Sequence, residues 1–255
     1  MNANTSENPY AVPASNLQET APTQQVPSIE EALSRGYDFR IGDLLSDAWQ
    51  RVKGSKGLII GAVIIYAVAA TIINSVFGAM LGLIGLQADP ENLAGMLAGQ
   101  FVISILGAAV TYPLLAGLMM IGIRRAADQA FNFDLAFSGF KNPLPIIITG
   151  VLMLVMVYVG CLLLLLPGIY LMIAYALALP LVIERGLSPW QALETSRKAI
   201  SQHWFKVLGL NLVLGLIVGL SAIPLGIGMI WTVPLWAIAS GVLYRTIFGV
   251  LPVAE

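Results

Sequence analysis

Apolar residues along this chain come in long uninterrupted runs, and the charged residues gather in short blocks between them. Leu58 to about Leu86 carries no charge; nor do the runs from about Leu93 to Ile123, Leu144 to about Leu166, Ile169 to Ile183, Val207 to about Ile223 and Ile227 to about Tyr244. At ~1.5 Å per residue the first of these covers the ~30 Å hydrocarbon core of a bilayer as a helix with length to spare for tilt. The pattern predicts an all-α, polytopic membrane protein with about six transmembrane helices paired as three hairpins. Turns are expected at Pro167-Gly168 and from Pro224 to Gly226, and Pro113, Pro180 and Pro234 are expected to break the even-numbered spans.

Between the runs the periodicity changes. From Ile41 to Val52, the residues Ile41, Leu44, Leu45, Ala48, Trp49 and Val52 share one helical face, while Asp43, Asp47, Gln50 and Arg51 take the other. This predicts an amphipathic helix on the cytoplasmic membrane surface, with Lys53 and Lys56 marking the water side of the first span. The string from Asp134 to Lys141 predicts a second, shorter one. A third begins at Ser188, where Ser188, Pro189 and Gln191 form an S-x-x-Q start, and it carries Trp190, Leu193, Ile200 and Trp204 with Arg197 and Lys198 opposite. Trp49, Arg51, Lys53, Lys56, Trp190, Arg197, Lys198, Trp204 and Lys206 are therefore expected at the lipid headgroups. Each base there favours anionic lipid by about 1 kcal/mol.

Residues 1–34 are polar and interrupted by Pro9, Pro13, Pro22 and Pro27. They read as a disordered cytoplasmic tail ahead of a membrane domain over 35–255. With no basic n-region and apolar h-region in the tail, the first span is expected to serve as the insertion signal. The string from Glu7 to Pro13 resembles the N-P-Y-x-x-P opening of many bacterial membrane proteins, and reads either as a docking motif or as ordinary Pro-rich tail.

Charge sets the orientation. In a six-span threading all 13 Lys and Arg fall on one side, and the opposite connectors hold only Asp89 and Glu91. The positive-inside rule then puts both termini in the cytoplasm. Removing one span strands several bases, so six fits better than five or seven. Composition agrees with the membrane reading: 58% hydrophobic residues, 11% charged and a mean hydropathy of +0.83 exclude an ordinary soluble domain. A net charge of -1 argues neither for nor against an acidic partner, no nucleic-acid partner is expected, and the single Cys161 supports neither a disulfide framework nor a cysteine zinc site. Membrane lipid is the expected partner.

Arg125, Arg185 and Arg245 end the even-numbered spans 60 residues apart. That spacing reads as a triplicated hairpin around a pseudo-axis, or as the alternation any six-span chain shows. Gly78/Gly82, Gly95/Gly99 and Gly215/Gly219 are GxxxG pairs, candidates for close helix packing or for a homo-oligomer.

The span interiors carry no acid or base, the usual mark of an intramembrane site. Their polar residues are neutral; Asn74, Thr111, Asn211 and Thr232 are the candidates for intramembrane polar contacts, and for lining a cavity if the chain transports a solute. His203 stands alone beside Trp204, and no HExxH, G-x-S-x-G or P-loop pattern occurs. Neither an enzyme nor a cofactor is expected.

The segment from Ala192 to Leu210, preceded by the LPGIY turn and a span ending in Glu184-Arg185, resembles two bacterial membrane families of largely unassigned role. These are the membrane domain attached to some glycerophosphodiester phosphodiesterases and the YciC-like proteins. Ala192, Leu193, Ser196 and Trp204 match their loop signature. The resemblance implies a bacterial inner-membrane location and no defined catalytic residues. Together these readings predict a non-enzymatic accessory or scaffold protein in envelope or lipid homeostasis; a small-solute or lipid transporter or channel is the alternative.

Overall fold

The computed structural model describes residues 26–83 and 93–252, all of whose regular structure is helical. In chain order the elements are α1 (Ile29–Arg35), α2 (Ile41–Arg51), α3 (Lys56–Leu83), α4 (Leu93–Ala126), a 3-10 helix (Phe133–Phe140), α5 (Pro143–Leu163), α6 (Leu165–Ala174), α7 (Ala178–Arg185), α8 (Pro189–Ser201), α9 (Trp204–Ala222) and α10 (Met229–Phe248). The chain is an all-α, polytopic helical protein. The motif at Glu7 and the connector with Asp89 and Glu91 lie outside the described residues.

Among the described residues five stretches are long and apolar enough to cross a membrane: α3, α4, α5, α6 with α7, and α9. On α3, Ile64, Val68, Ile72, Val76 and Met80 recur every fourth residue, each at least half exposed. Such a stripe is stable only against hydrocarbon, since in water each side chain would forgo roughly 1.5–3 kcal/mol of burial. The sixth expected span coincides with α10, which at 20 residues is long enough but is diluted by Thr232, Pro234, Ser240 and Arg245, and it is not among the five. Its start also departs from the simple threading: the Lys56 ammonium lies 5.0 Å from the centre of the Trp231 ring. The first turn of α10 thus sits beside the first turn of α3, not a bilayer's width away, and the α9–α10 hairpin is the shallower one. At ~1.5 Å per residue α3 and α4, of 28 and 34 residues, reach well beyond α9 and α10, of 19 and 20.

The core gathers around the second half of α10, where Ile238, Tyr244, Ile247 and Phe248 have no exposed surface. Close approach of backbones makes this packing. A Cβ on Gly122 of α4 would lie 2.2 Å from the Ala237 carbonyl oxygen, and one on Gly241 2.3 Å from that of Gly122. Gly117 and Gly139 likewise fasten the 3-10 helix to the middle of α4, against the carbonyls of Ala136 and Pro113. The string at Asp134 is therefore tied along a span, and its Phe133, Phe137 and Phe140 stay about 40% exposed. The GxxxG glycines Gly78, Gly215 and Gly219 meet nothing; backbone contact falls on other glycines.

Several boundaries differ from the sequence reading. Residues 29–34, expected in the tail, form α1, started by Ser28 and Glu31: the Ser28 N–H donates to Glu31 Oε2 at 2.8 Å and Ser28 Oγ accepts from the Glu31 N–H at 3.2 Å. The turn expected at Pro167-Gly168 falls instead at Leu164, which is extended (φ -160°, ψ 136°), and Pro167 lies in the first turn of α6, where a missing N–H leaves no intrahelical bond unmade. The fourth span is itself two helices with a break over 175–177. Pro180 follows in the first turn of α7, but Pro113 and Pro234 stay inside unbroken helices.

Candidate functional site

Arg125, Arg185 and Arg245 share one task. Each donates to carbonyl oxygens at the end of another element. Arg125 reaches Arg51 O and Lys53 O, both at 2.8 Å, at the end of α2. Arg185 reaches Phe248 O, the last residue of α10, and Pro27 O at 3.1 Å. Arg245 reaches Ala126 O, the last residue of α4, and Asp47 Oδ2 at 2.7 Å. The last carbonyls of a helix have no partner within it and carry its partial negative charge, so a guanidinium there satisfies acceptors and dipole together. Arg35 adds a bond to Ile247 O at 3.1 Å, and Arg124 one to Leu251 O at 2.7 Å.

Glu184 lies within this cap with its side chain fully buried. It accepts from Arg185 Nε at 2.8 Å, from the Tyr244 hydroxyl at 2.6 Å and from the Leu251 N–H at 2.5 Å. A buried carboxylate is tolerated when paired and bonded in this way. The cap consumes its charges on the fold.

The residues expected at headgroups divide accordingly. Trp49 and Trp190 present exposed rings, and Lys53 points outward. Arg51 is held by Asp47 and, at 2.9 Å, by Asp128. Lys56 covers Trp231. Arg197 pairs with Glu194 at 2.7 and 2.9 Å, and Lys198 reaches the same carboxylate at 3.5 Å; the Arg197 hydrogen bond holds that carboxyl below its ordinary range. Trp204 is half-buried and donates to Tyr170 O at 3.3 Å. Lys206 pairs with Asp38, lowering its carboxyl in turn. On the helix predicted from Ser188, Gln191 Oε1 accepts from Ser188 Oγ at 2.9 Å and from the Ser188 N–H at 3.3 Å.

Of the polar residues within the helices, the structure brings Asn74 and Thr111 together. They line a cavity of about 200 Å³ between α3, α4 and α5, with Tyr66, Gln100, Ser104 and Tyr112. Asn211 and Thr232 do not join them: Asn211 bonds back to Val207 O at 2.9 Å, and Thr232 meets Ser221 at 2.7 Å. A second cavity, of about 290 Å³ and mostly apolar, lies between α4, α5, α6, α7 and α10; Met119, Met153, Val157, Met172 and Trp236 line it, and Tyr112 and Leu154 line both.

The sequence reading passed over Ser196 as a structural residue and Glu184 and Tyr244 as a pair. The Glu184-Arg185 step at a span end is the signal that a buried ion pair was near. Nothing local marks Tyr244 as its partner, 60 residues on. Compared with family models, curated proteins and solved structures, the chain matches none.

Proposed function

We propose that the chain acts without catalysis, as an accessory or scaffold protein of envelope or lipid homeostasis in a bacterial cytoplasmic membrane, with both termini cytoplasmic. One observation carries the reading: the arginines that a phosphate-processing site would aim at substrate are bonded to helix-end carbonyls and to Asp47 and Glu184. Such a cap supports a rigid body with outward helices, α2 and α8, that present Trp49 and Trp190 to a membrane surface. The orientation is supported by the one-sided bases and by Arg185, which bonds both Pro27 and Phe248 and so joins the two ends of the described chain.

The test is deletion of the gene in its host with measurement of lipid composition and envelope permeability, beside flux assays on the purified protein in liposomes. Altered lipid composition with no solute flux is the expected result. Robust solute flux overturns the scaffold reading. A second reading, handling of a lipid within the membrane, is favoured by the polar cavity at Asn74 and Thr111 and the apolar one adjoining it.

A further inference from the structure

Tyr112 and Leu154 line both cavities, one side mixed polar and apolar and the other mostly apolar. On the polar side, Asn74 donates to Ala70 O at 2.8 Å, Ser104 to Gln100 O at 2.8 Å and Thr111 to Gly107 O at 3.0 Å. A hydroxyl that has donated its one hydrogen keeps its lone pairs, and an amide keeps its carbonyl oxygen. That side thus offers acceptors at Asn74, Ser104 and Thr111 beside donors at the remaining amide hydrogens of Asn74 and Gln100 and the hydroxyls of Tyr66 and Tyr112, and suits a ligand whose hydroxyls both donate and accept. The other side offers Met119, Met153 and Met172, which adapt to a flexible chain, with Val157 and Trp236.

Charge narrows the class. Neither cavity has a Lys, Arg, His, Asp or Glu among its described lining residues. Both are half-open clefts on the spans, and a phosphate placed there would find no counter-charge at membrane depth, which is disfavoured. Taken together the two voids fall within the roughly 300–1,000 Å³ range of small-molecule sites.

We propose that the two adjoining cavities bind an uncharged, hydroxyl-headed lipid of the acylglycerol class, laid across Tyr112 and Leu154. Its head lies among Tyr66, Asn74, Gln100, Ser104 and Thr111, and its chain among the methionines and Trp236. This rests on the lipid-handling reading above and names its ligand.

The test uses full-length protein in phosphatidylcholine vesicles that contain a photoactivatable monoacylglycerol, or a photoactivatable lysophosphatidylglycerol of the same chain length. The monoacylglycerol is expected to label peptides covering 100–112 and 153–158, and unlabelled monoacylglycerol to compete. Thr111→Val is expected to lower that labelling about five-fold, the loss of one ordinary hydrogen bond, with thermal stability unchanged. Should Thr111→Val not elute as a single species, Leu154→Trp, which fills the junction, is expected to abolish the labelling. Equal or stronger labelling of those peptides by the lysophosphatidylglycerol overturns the ligand class and leaves lipid handling standing. Labelling by neither probe, or labelling that Leu154→Trp leaves intact, overturns the site and lipid handling with it.

Discussion

The Ser196 hydroxyl, fully buried on α8, donates to the Ala174 carbonyl oxygen at 2.7 Å, the last residue of α6. It also accepts from the Leu177 N–H at 3.2 Å. One side chain therefore serves both a donor and an acceptor that the break between α6 and α7 leaves without helical partners. Ser196→Ala is expected to cost about 1–3 kcal/mol, the penalty for orphaned buried groups. Chemical unfolding of the purified protein checks this against Lys198→Ala, whose side chain is 57% exposed and whose effect is expected within about 0.5 kcal/mol.

Glu184 and its donors predict an order of damage. Arg185→Met leaves a fully buried carboxylate without its counter-charge and is expected to cost about 3–5 kcal/mol. Tyr244→Phe removes one of three donors and is expected to cost about 1–3 kcal/mol. Equal losses in unfolding midpoint would show that the pair does not work as described.

Alkaline stability depends on Tyr37. Its hydroxyl is buried with no partner among the described residues, and burial pushes its pKa from 10.0 up to about 12. The folded state thus holds the neutral phenol more strongly than the unfolded state does. Its contribution is complete below about pH 10 and is lost as pH rises through about 12. Tyr37→Phe is expected to make that limb of a stability-against-pH curve shallower by one titrating group while leaving neutral-pH stability equal or up to about 1 kcal/mol higher.

Glycines divide by what faces them. Gly122→Ala drives a methyl into the Ala237 carbonyl and is expected to abolish a stable fold or lower the unfolding temperature sharply, because backbone cannot yield as a side chain can. Gly215→Ala meets open space and is expected to be neutral or mildly stabilising. Thermal denaturation in detergent separates the two.

Threading is tested with cysteine chemistry, since Cys161 is the only cysteine. Six full crossings require that, in a Cys161→Ser background, Pro224→Cys react with an impermeant thiol reagent only from the outer face and Lys53→Cys only from the cytoplasmic face; the Lys56–Trp231 contact instead predicts no reaction of Pro224→Cys from the outer face. Reaction of Pro224→Cys from the cytoplasmic face would mean that the shallow α9–α10 hairpin does not reach across.

Helix existence was legible from the sequence wherever the signal is local. Hydropathy runs marked α3, α4, α5 and α9; amphipathic spacing marked α2; and the S-x-x-Q start marked α8. The same kind of local signal, Ser28 with Glu31, was there for α1 but lay within a stretch read as tail from its prolines. The neighbourhood of Asn74 and Thr111 was half legible: their polarity marked them as candidates, but only the pairing of α3 with α4 made them face one cavity with Gln100 and Ser104.

Partnership between distant residues was beyond that reach. Basic residues sorted to one end can be counted in a string of letters, because charge is a property of each residue alone. That Arg245 closes the end of α4, Arg185 the end of α10 and Arg125 the end of α2 depends on which backbones lie within 3 Å of a guanidinium, and so on the crossing at Gly122 and Gly241. Residue types and their spacing thus determined a helical membrane protein with its cations gathered. The packing of α4 against α10 made Arg125, Arg185 and Arg245, which the sequence marked only by their spacing, into caps for the protein's own helices, since a buried carbonyl demands a donor and the arginines were nearest.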